Sequence, residues 1–264
     1  MSTPNLKIIS ASRRTDLVAF YPDFLAEKIG AIGPERIHTL VIWTKNPENL
    51  LVHRSLKSVT SKLDQLYILL TVTGLGGTSM EPAVPKPPEV ISLLPELADF
   101  TKDPERIAWR FDPILNWTDG MENFTNIKSF NDLASSFSTL GVKRLISSFC
   151  TIYPKVIQRF REHSRFEPVT PSRNERIELK KYLSMQAERH GFDLEWCCEP
   201  GEPPAACIDG RLLTELHPDR LPAPVEASSG QRELCGCTKS WDIGWYNQPC
   251  GGRCLYCYAN PEKW

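Results

Sequence analysis

Three cysteines near the end of the chain, in Cys250-Gly-Gly-Arg-Cys254-Leu-Tyr-Cys257, read C-x3-C-x2-C. Thiolates so closely spaced can hold three irons of a 4Fe-4S cubane and leave the fourth iron open to a ligand. Structural zinc is the other chemistry for such a set; it takes four tetrahedral ligands, and Cys235 or Cys237 would supply the fourth. The tight gaps, followed by Tyr258-Ala-Asn260, favour the cluster. A second set, Cys198, Cys207, Cys235 and Cys237, lies upstream. Cys235-Gly-Cys237 brings two thiols to one side of a turn, and Cys198 and Cys207 flank a Pro/Gly-rich loop. Four such thiolates hold either a second, fully ligated iron-sulfur cluster or a zinc; the plain alternative is buried apolar cysteines with no ligand role. Cys150 and Cys197, among apolar strand residues, read as core thiols.

A polar set accompanies the thiols. Arg13, Arg14 and Asp16 follow the first apolar run, Lys45 the second, and Arg110 and Asp112 the fourth. Guanidinium groups recognise carboxylates in planar, bidentate fashion, so these residues suit an anionic or zwitterionic cofactor, with Asp112 accepting from a ribose hydroxyl or an amine. On a bare surface they would form a solvated turn worth tenths of a kcal/mol. Gly74-Leu-Gly76-Gly77 lacks dinucleotide-binding spacing and reads as a flexible loop. The five histidines form no close pair, which leaves thiolate as the ligand.

Short β-branched or aromatic runs at 6–10, 39–44, 67–73, 106–111, 144–149 and 193–198 alternate with amphipathic segments at 22–29, 48–63, 88–100, 129–140 and 172–190. Strands separated by helices pair in parallel through right-handed crossovers. Six such units predict an α/β fold with a curved sheet or partial (β/α) barrel over 1–196, its polar motifs gathered at the carboxyl ends of the strands. From 197 to 264 the periodic signals fade while Cys, Gly and Pro rise, which predicts an irregular, cluster-binding tail packed back on the barrel as part of one integrated domain.

With 31 basic and 32 acidic side chains, no global attraction to nucleic acid or membrane is expected. The chain has no 18-residue apolar run, and its start, MSTPNLKIISASRR, lacks a signal-peptide core. A cytoplasmic, soluble protein is expected, in which nine cysteines point to metal or cluster chemistry over disulfides.

The motifs ISASRRTD, WTKNP, TVTG…EP, WRFDPI, QRELCGC with S-x-D-I-G, and C-x3-C-LYCYAN occur in this order. In that combination the chain resembles, over nearly its whole length, the bacterial family called domain of unknown function 1848, whose C-terminal cysteines look like the cluster motif of radical S-adenosylmethionine (SAM) enzymes. More distantly it is similar to spore photoproduct lyase-like radical SAM proteins. Asn247 through Ala259 reads like their cluster loop, and Thr44-Lys45 and Thr73 through Glu81-Pro82 read like elements of their later strands. Their cluster loop comes early in the chain, so the resemblance implies a circularly permuted barrel of radical SAM type. It also implies a 4Fe-4S cluster on Cys250, Cys254 and Cys257, SAM at the open iron with Tyr256 beside its adenine, and an electron donor such as flavodoxin or ferredoxin. The activity implied is reductive cleavage of SAM to a 5′-deoxyadenosyl radical that acts on an unspecified substrate. The alternative is a non-catalytic iron-sulfur or zinc protein that binds a nucleotide or a partner. A nucleic-acid repair role is disfavoured by the neutral charge.

Overall fold

Runs such as Ile37–Thr44 (IHTLVIWT) and Leu66–Thr71 (LYILLT) are buried along their whole length. Strands covered on both faces belong at the centre of a parallel sheet, and that is where the computed structural model puts them. It describes residues 6–245 and 247–262. The strands are β1 (Lys7–Ala11), β2 (Ile37–Thr44), β3 (Leu66–Thr71), β4 (Ile107–Ile114), β5 (Asn116–Thr118), β6 (Asn123–Thr125), β7 (Arg144–Phe149), β8 (Glu167–Val169), β9 (Asp193–Trp196) and β10 (Trp241–Asp242). The helices are α1 (Leu17–Phe20), α2 (Pro22–Ile32), α3 (Glu48–Val52), α4 (Arg54–Thr60), α5 (Pro87–Ser92), α6 (Leu94–Thr101), α7 (Phe130–Leu140), α8 (Pro154–His163), α9 (Arg173–Arg189) and α10 (Gly210–Glu215).

Seven strands form one sheet in the order β10-β1-β2-β3-β4-β7-β9, and every pairing in it is parallel. The order follows the chain without the reversal that marks doubly wound folds. One strand breaks the sequence: β10, the last in the chain, lies outside β1, with Ile9 opposite Trp241. Among the described residues no pairing joins β10 to β9, so the sheet is open. A small antiparallel sheet, β6-β5-β8, stands beside it.

The two faces are covered differently. On one, Leu40, Ile42, Ile68, Trp109 and Phe111 pack against α1 to α7 and α9, with Trp109 stacked on Phe137 at 4.8 Å. On the other, Val41, Tyr67, Leu69 and Ala108 pack against the tail through Ala205, Cys207, Ile208, Leu213 and Cys237. Among the described residues, 197–262 contribute only α10 and β10 as regular elements and are otherwise turns and loops. The expected helix at 48–63 is divided at His53, whose extended backbone caps α4. That at 88–100 is divided at Leu93, because Pro95 has no N–H to continue the helix.

Candidate functional site

The alternation of side chains along β4 puts Trp109 and Phe111 among the helices and turns Ala108, Arg110 and Asp112 toward the opposite face. Arg110 and Asp112 therefore stand on the strand, which runs on to Ile114, and not beyond its end as the sequence pattern predicts. Arg13 approaches from the turn after β1. Its guanidinium lies 5.4 Å from the centre of the Trp43 ring and that of Arg110 lies 4.9 Å away, so two cations lie against one indole. Trp43 Nε1 donates to Ser10 Oγ at 3.1 Å, which fixes the ring. Nε and Nη2 of Arg13 and Nε of Arg110 are buried with no hydrogen-bond partner among the described residues. A buried donor left unpaired costs about 1–3 kcal/mol, a penalty an anionic ligand would relieve. Arg110 also donates to Asp112, which accepts from Ser148 as well. Burial pulls the pKa of Arg110 down, but Asp112 beside it and nearby Cys207 and Cys197 raise it above its ordinary value.

Asp16 faces inward to the protein's own groups. Its Oδ1 accepts from Ala19 N at 3.0 Å, capping α1, and Oδ2 accepts from Thr44 Oγ1 at 2.9 Å and Lys45 N at 2.8 Å. It ties the turn after β1 to the end of β2. Burial raises its pKa, against the pull of these donors. Arg14 is exposed and within electrostatic reach of Tyr258.

The far end of the chain closes over this mouth. Tyr258 OH donates to Arg13 O at 3.0 Å, Thr15 Oγ1 donates to Gln248 O at 2.9 Å, and Lys45 Nζ donates to Tyr256 OH at 3.0 Å. Lys45 also donates to Glu81 Oε1 at 2.8 Å, and that oxygen accepts from Thr73 Oγ1 at 2.7 Å and from Tyr256 OH. Burial lowers the pKa of Lys45, yet Glu81 and Cys254 more than offset it and hold the ammonium charged. Glu81 was not singled out among the site residues from sequence. The signal was present in the TVTG…EP motif, where a carboxylate ends an otherwise apolar and glycine-rich loop.

Within the loop, Cys250 N donates to Asn260 O and Glu262 N to Cys250 O, so the segment is closed on itself. Arg159 of α8 donates to the carbonyls of Cys254, Leu255 and Cys257, fixing the turn from outside. The sequence patterns do not predict α8, so Arg159 went unseen. A Cβ placed on Gly252 would lie 3.7 Å from both Cys250 Sγ and Cys254 Sγ. These two sulfurs therefore flank a cradle kept open by the absence of a side chain. Cys257 is within charge range of both. Burial pushes the Cys250 thiol up to about 11, and raises Cys254 and Cys257 as well. Lys45 lowers the pKa of Cys254, and Arg159, Lys45 and Lys155 lower that of Cys257, so cations surround the thiols.

Among the described residues, no three or more His, Cys, Asp or Glu side chains are gathered so as to hold one metal ion. A cluster asks for a different arrangement, because each of its irons takes its own sulfur. The three thiols, the Gly252 cradle and the surrounding cations fit such a group. All nine cysteines are free. Of the second set, Cys207 and Cys237 are buried and Cys198 and Cys235 half-buried. They lie on the inner face of the sheet with Cys197, whose apolar neighbours mark it as core but whose sulfur stands 4.0 Å from those of Cys198 and Cys207. Cys150 packs with Cys254 and Tyr256 below the loop.

Fold and site together define an α/β protein with an open parallel sheet whose strand ends are closed by a C-x3-C-x2-C loop. The chain belongs to the family described as domain of unknown function (DUF1848), whose model matches residues 30–259. The matched span contains both thiol sets, Lys45, Glu81 and Arg110, and begins after the Arg13–Asp16 turn. No curated protein matches the chain. No helix among the described residues is long and apolar enough to cross a membrane.

Proposed function

We propose that this protein is a radical SAM-like iron-sulfur enzyme built on a permuted partial barrel. The observation that carries the reading is the return of the Cys250–Cys257 loop to the mouth lined by Arg13, Lys45 and Arg110. The sheet supports the permutation: β10, which leads into the cluster loop, occupies the edge beside β1 where a first strand would stand. Strands in chain order with most helices on one face support this reading, since a (β/α) barrel left open would be wound in that way.

Cys250, Cys254 and Cys257 would hold a 4Fe-4S cluster. With SAM beside it, and once reduced by a donor such as flavodoxin or ferredoxin, such a cluster would supply the one electron needed to cleave the sulfonium into methionine and a 5′-deoxyadenosyl radical. The chain's own groups bind and orient. Arg13 and Arg110 present buried unpaired donors for a carboxylate. Lys45 and Tyr256, held by Glu81, form the wall next to Cys254. Tyr256 is 7% exposed, so its ring screens that wall from water.

Anaerobic reconstitution with iron and sulfide, followed by SAM and dithionite, tests the reading. The expected result is 5′-deoxyadenosine from wild type, a change in the electron paramagnetic resonance signal when SAM is added, and loss of both in Cys254→Ala. A reconstituted protein that gives neither, or one that carries about one zinc and no iron, overturns it.

A further inference from the structure

Five sulfurs, not four, meet on the inner face of the sheet. Cys197 Sγ lies 4.0 Å from Cys198 Sγ and 4.0 Å from Cys207 Sγ. Cys207 and Cys237, Cys237 and Cys235, and Cys235 and Cys198 each lie close enough to shift one another's pKa, which completes a circuit. The circuit joins three separate stretches of chain, so it is made by the fold and not by sequence proximity.

Local features hold it together. Successive side chains in an extended strand point to opposite faces, so Cys197 and Cys198, directly after β9, would ordinarily diverge. Cys198 instead has φ +54, and this left-handed turn brings its sulfur to the same side as its neighbour's. A non-glycine residue there is strained by on the order of 1 kcal/mol. Glu199 pins the corner by accepting from Phe149 N at 3.0 Å. At the other side, a Cβ on Gly236 would come within 2.9 Å of Pro204 O, so only glycine lets the Cys235–Cys237 turn press against the Cys207 loop, where Gly236 N donates to Ala205 O at 3.0 Å.

Cations face the sulfurs. Arg232 Nη2 donates to Cys197 Sγ at 3.7 Å, Arg110 is within charge range of Cys207 and Cys197, and Arg13 within that of Cys237. Arg110 is shared with Asp112 and Arg13 with the mouth, whereas Arg232 donates directly to a sulfur. A cation set against a buried sulfur favours the anionic thiolate that a metal binds over the neutral thiol.

We infer that four of Cys197, Cys198, Cys207, Cys235 and Cys237 ligate a second iron-sulfur cluster, with Arg232 and Arg110 compensating its negative charge. The sulfurs are strung in adjacent pairs, 4.0 Å apart where Cys197 meets Cys198 and Cys207, a spacing that two thiolates on one metal take. Because no three or more of them are gathered on one point, a cluster whose irons divide these sulfurs between them fits better than a single zinc, which holds all four at about 2.3 Å. The inference stands on this circuit alone and does not depend on the reading of the Cys250–Cys257 loop.

The experiment is iron and acid-labile sulfide quantification, with zinc measured alongside, on anaerobically reconstituted protein. The triple variant Cys250→Ala, Cys254→Ala, Cys257→Ala is expected to retain about two or four irons with equal sulfide and a visible charge-transfer absorption. Adding Cys207→Ala and Cys237→Ala should abolish them. A triple variant with native circular dichroism but no iron overturns the inference, as does one zinc in place of iron. Should the triple variant fail to fold, Cys207→Ala with Cys237→Ala in the otherwise wild-type chain decides: a drop of about two or four irons supports the second cluster, and unchanged iron overturns it. Wild type that makes no 5′-deoxyadenosine while the triple variant keeps its iron would refute the enzymatic reading and leave this one standing.

Discussion

Glu81 exposes 2% of its side chain and faces the ammonium of Lys45 at 2.8 Å, with Thr73 and Tyr256 completing its shell. An ion pair this buried gains little over a neutral replacement of both partners, but removing one partner strands the other charge. Glu81→Gln is therefore expected to lower stability by on the order of 3 kcal/mol. Adding Lys45→Met should recover part of that loss, because no uncompensated charge remains. Urea unfolding of the two single variants and the double variant reads the coupling, and additive losses would show that the pair does not act as a unit. The same logic separates Asp16 from Arg13, neighbours in one motif. Asp16 spends its oxygens on Ala19, Thr44 and Lys45, whereas Arg13 retains unpaired donors. The first positions the turn; the second is available to a ligand.

The loop from β3 to α5 holds Glu81 by backbone contacts, with a bridge between Gly76 and Glu81 and a bond from Gly77 N to Glu81 O at 3.1 Å. Gly76 permits it, since a Cβ there would fall 2.0 Å from Pro85 O, a backbone atom that cannot swing away. Gly76→Ala should open the loop, destabilise the protein by at least about 2 kcal/mol, and withdraw Glu81 from Lys45. The check is a thermal melt together with cluster loading of the reconstituted variant. A melt within error of wild type would mean that the loop repacks freely. From sequence this stretch reads as a flexible loop, because the Cβ-excluding contact is made by a residue nine positions away and leaves no local pattern. The six strands of the main repeat were legible, each carrying a run of β-branched or aromatic residues. The short strands β5, β6 and β8 and the helices α1, α8 and α10 were not. β10 escaped too, being two exposed residues that pair only because β1 offers its edge. That Cys198, Cys207, Cys235 and Cys237 lie together was legible in the sequence, but the approach of Cys197 to them was not, since the left-handed backbone at Cys198 is what sets the two sulfurs side by side.

The tail wraps the sheet from end to end. After β9 it crosses the inner face with its thiols, and at the amino ends of three adjacent strands it is caught by side chains. His38 Nε2 donates to Leu221 O at 2.7 Å, Gln65 Nε2 to Leu213 O at 2.9 Å and Arg106 Nη2 to Leu216 O at 2.7 Å. It then runs beside β1 and closes the carboxyl ends with Cys250, Cys254 and Cys257. The site is thus assembled from the two extremes of the chain, and its upper loop depends on a lower anchor. That anchor contains two buried imidazoles, His38 and His217, with ring centres 4.6 Å apart. His38 donates to Leu221 and accepts from Thr39, and His217 Nδ1 accepts from Asp219 N, an arrangement suited to neutral rings. Burial lowers both pKa values below 6.5, and His38 lowers that of His217 further, against the opposing pull of Asp64. Near and below pH 6.5 the unfolded chain therefore binds protons that the folded chain refuses, so stability rises with pH there and falls on acidification. The fall begins near pH 6.5 and ends once pH drops below the folded values. The double variant His38→Gln, His217→Gln is expected to be less stable at pH 7 but to lose less between pH 7 and pH 5 than wild type, read from urea midpoints at each pH. Equal losses in the two proteins would place the acid sensitivity in other groups.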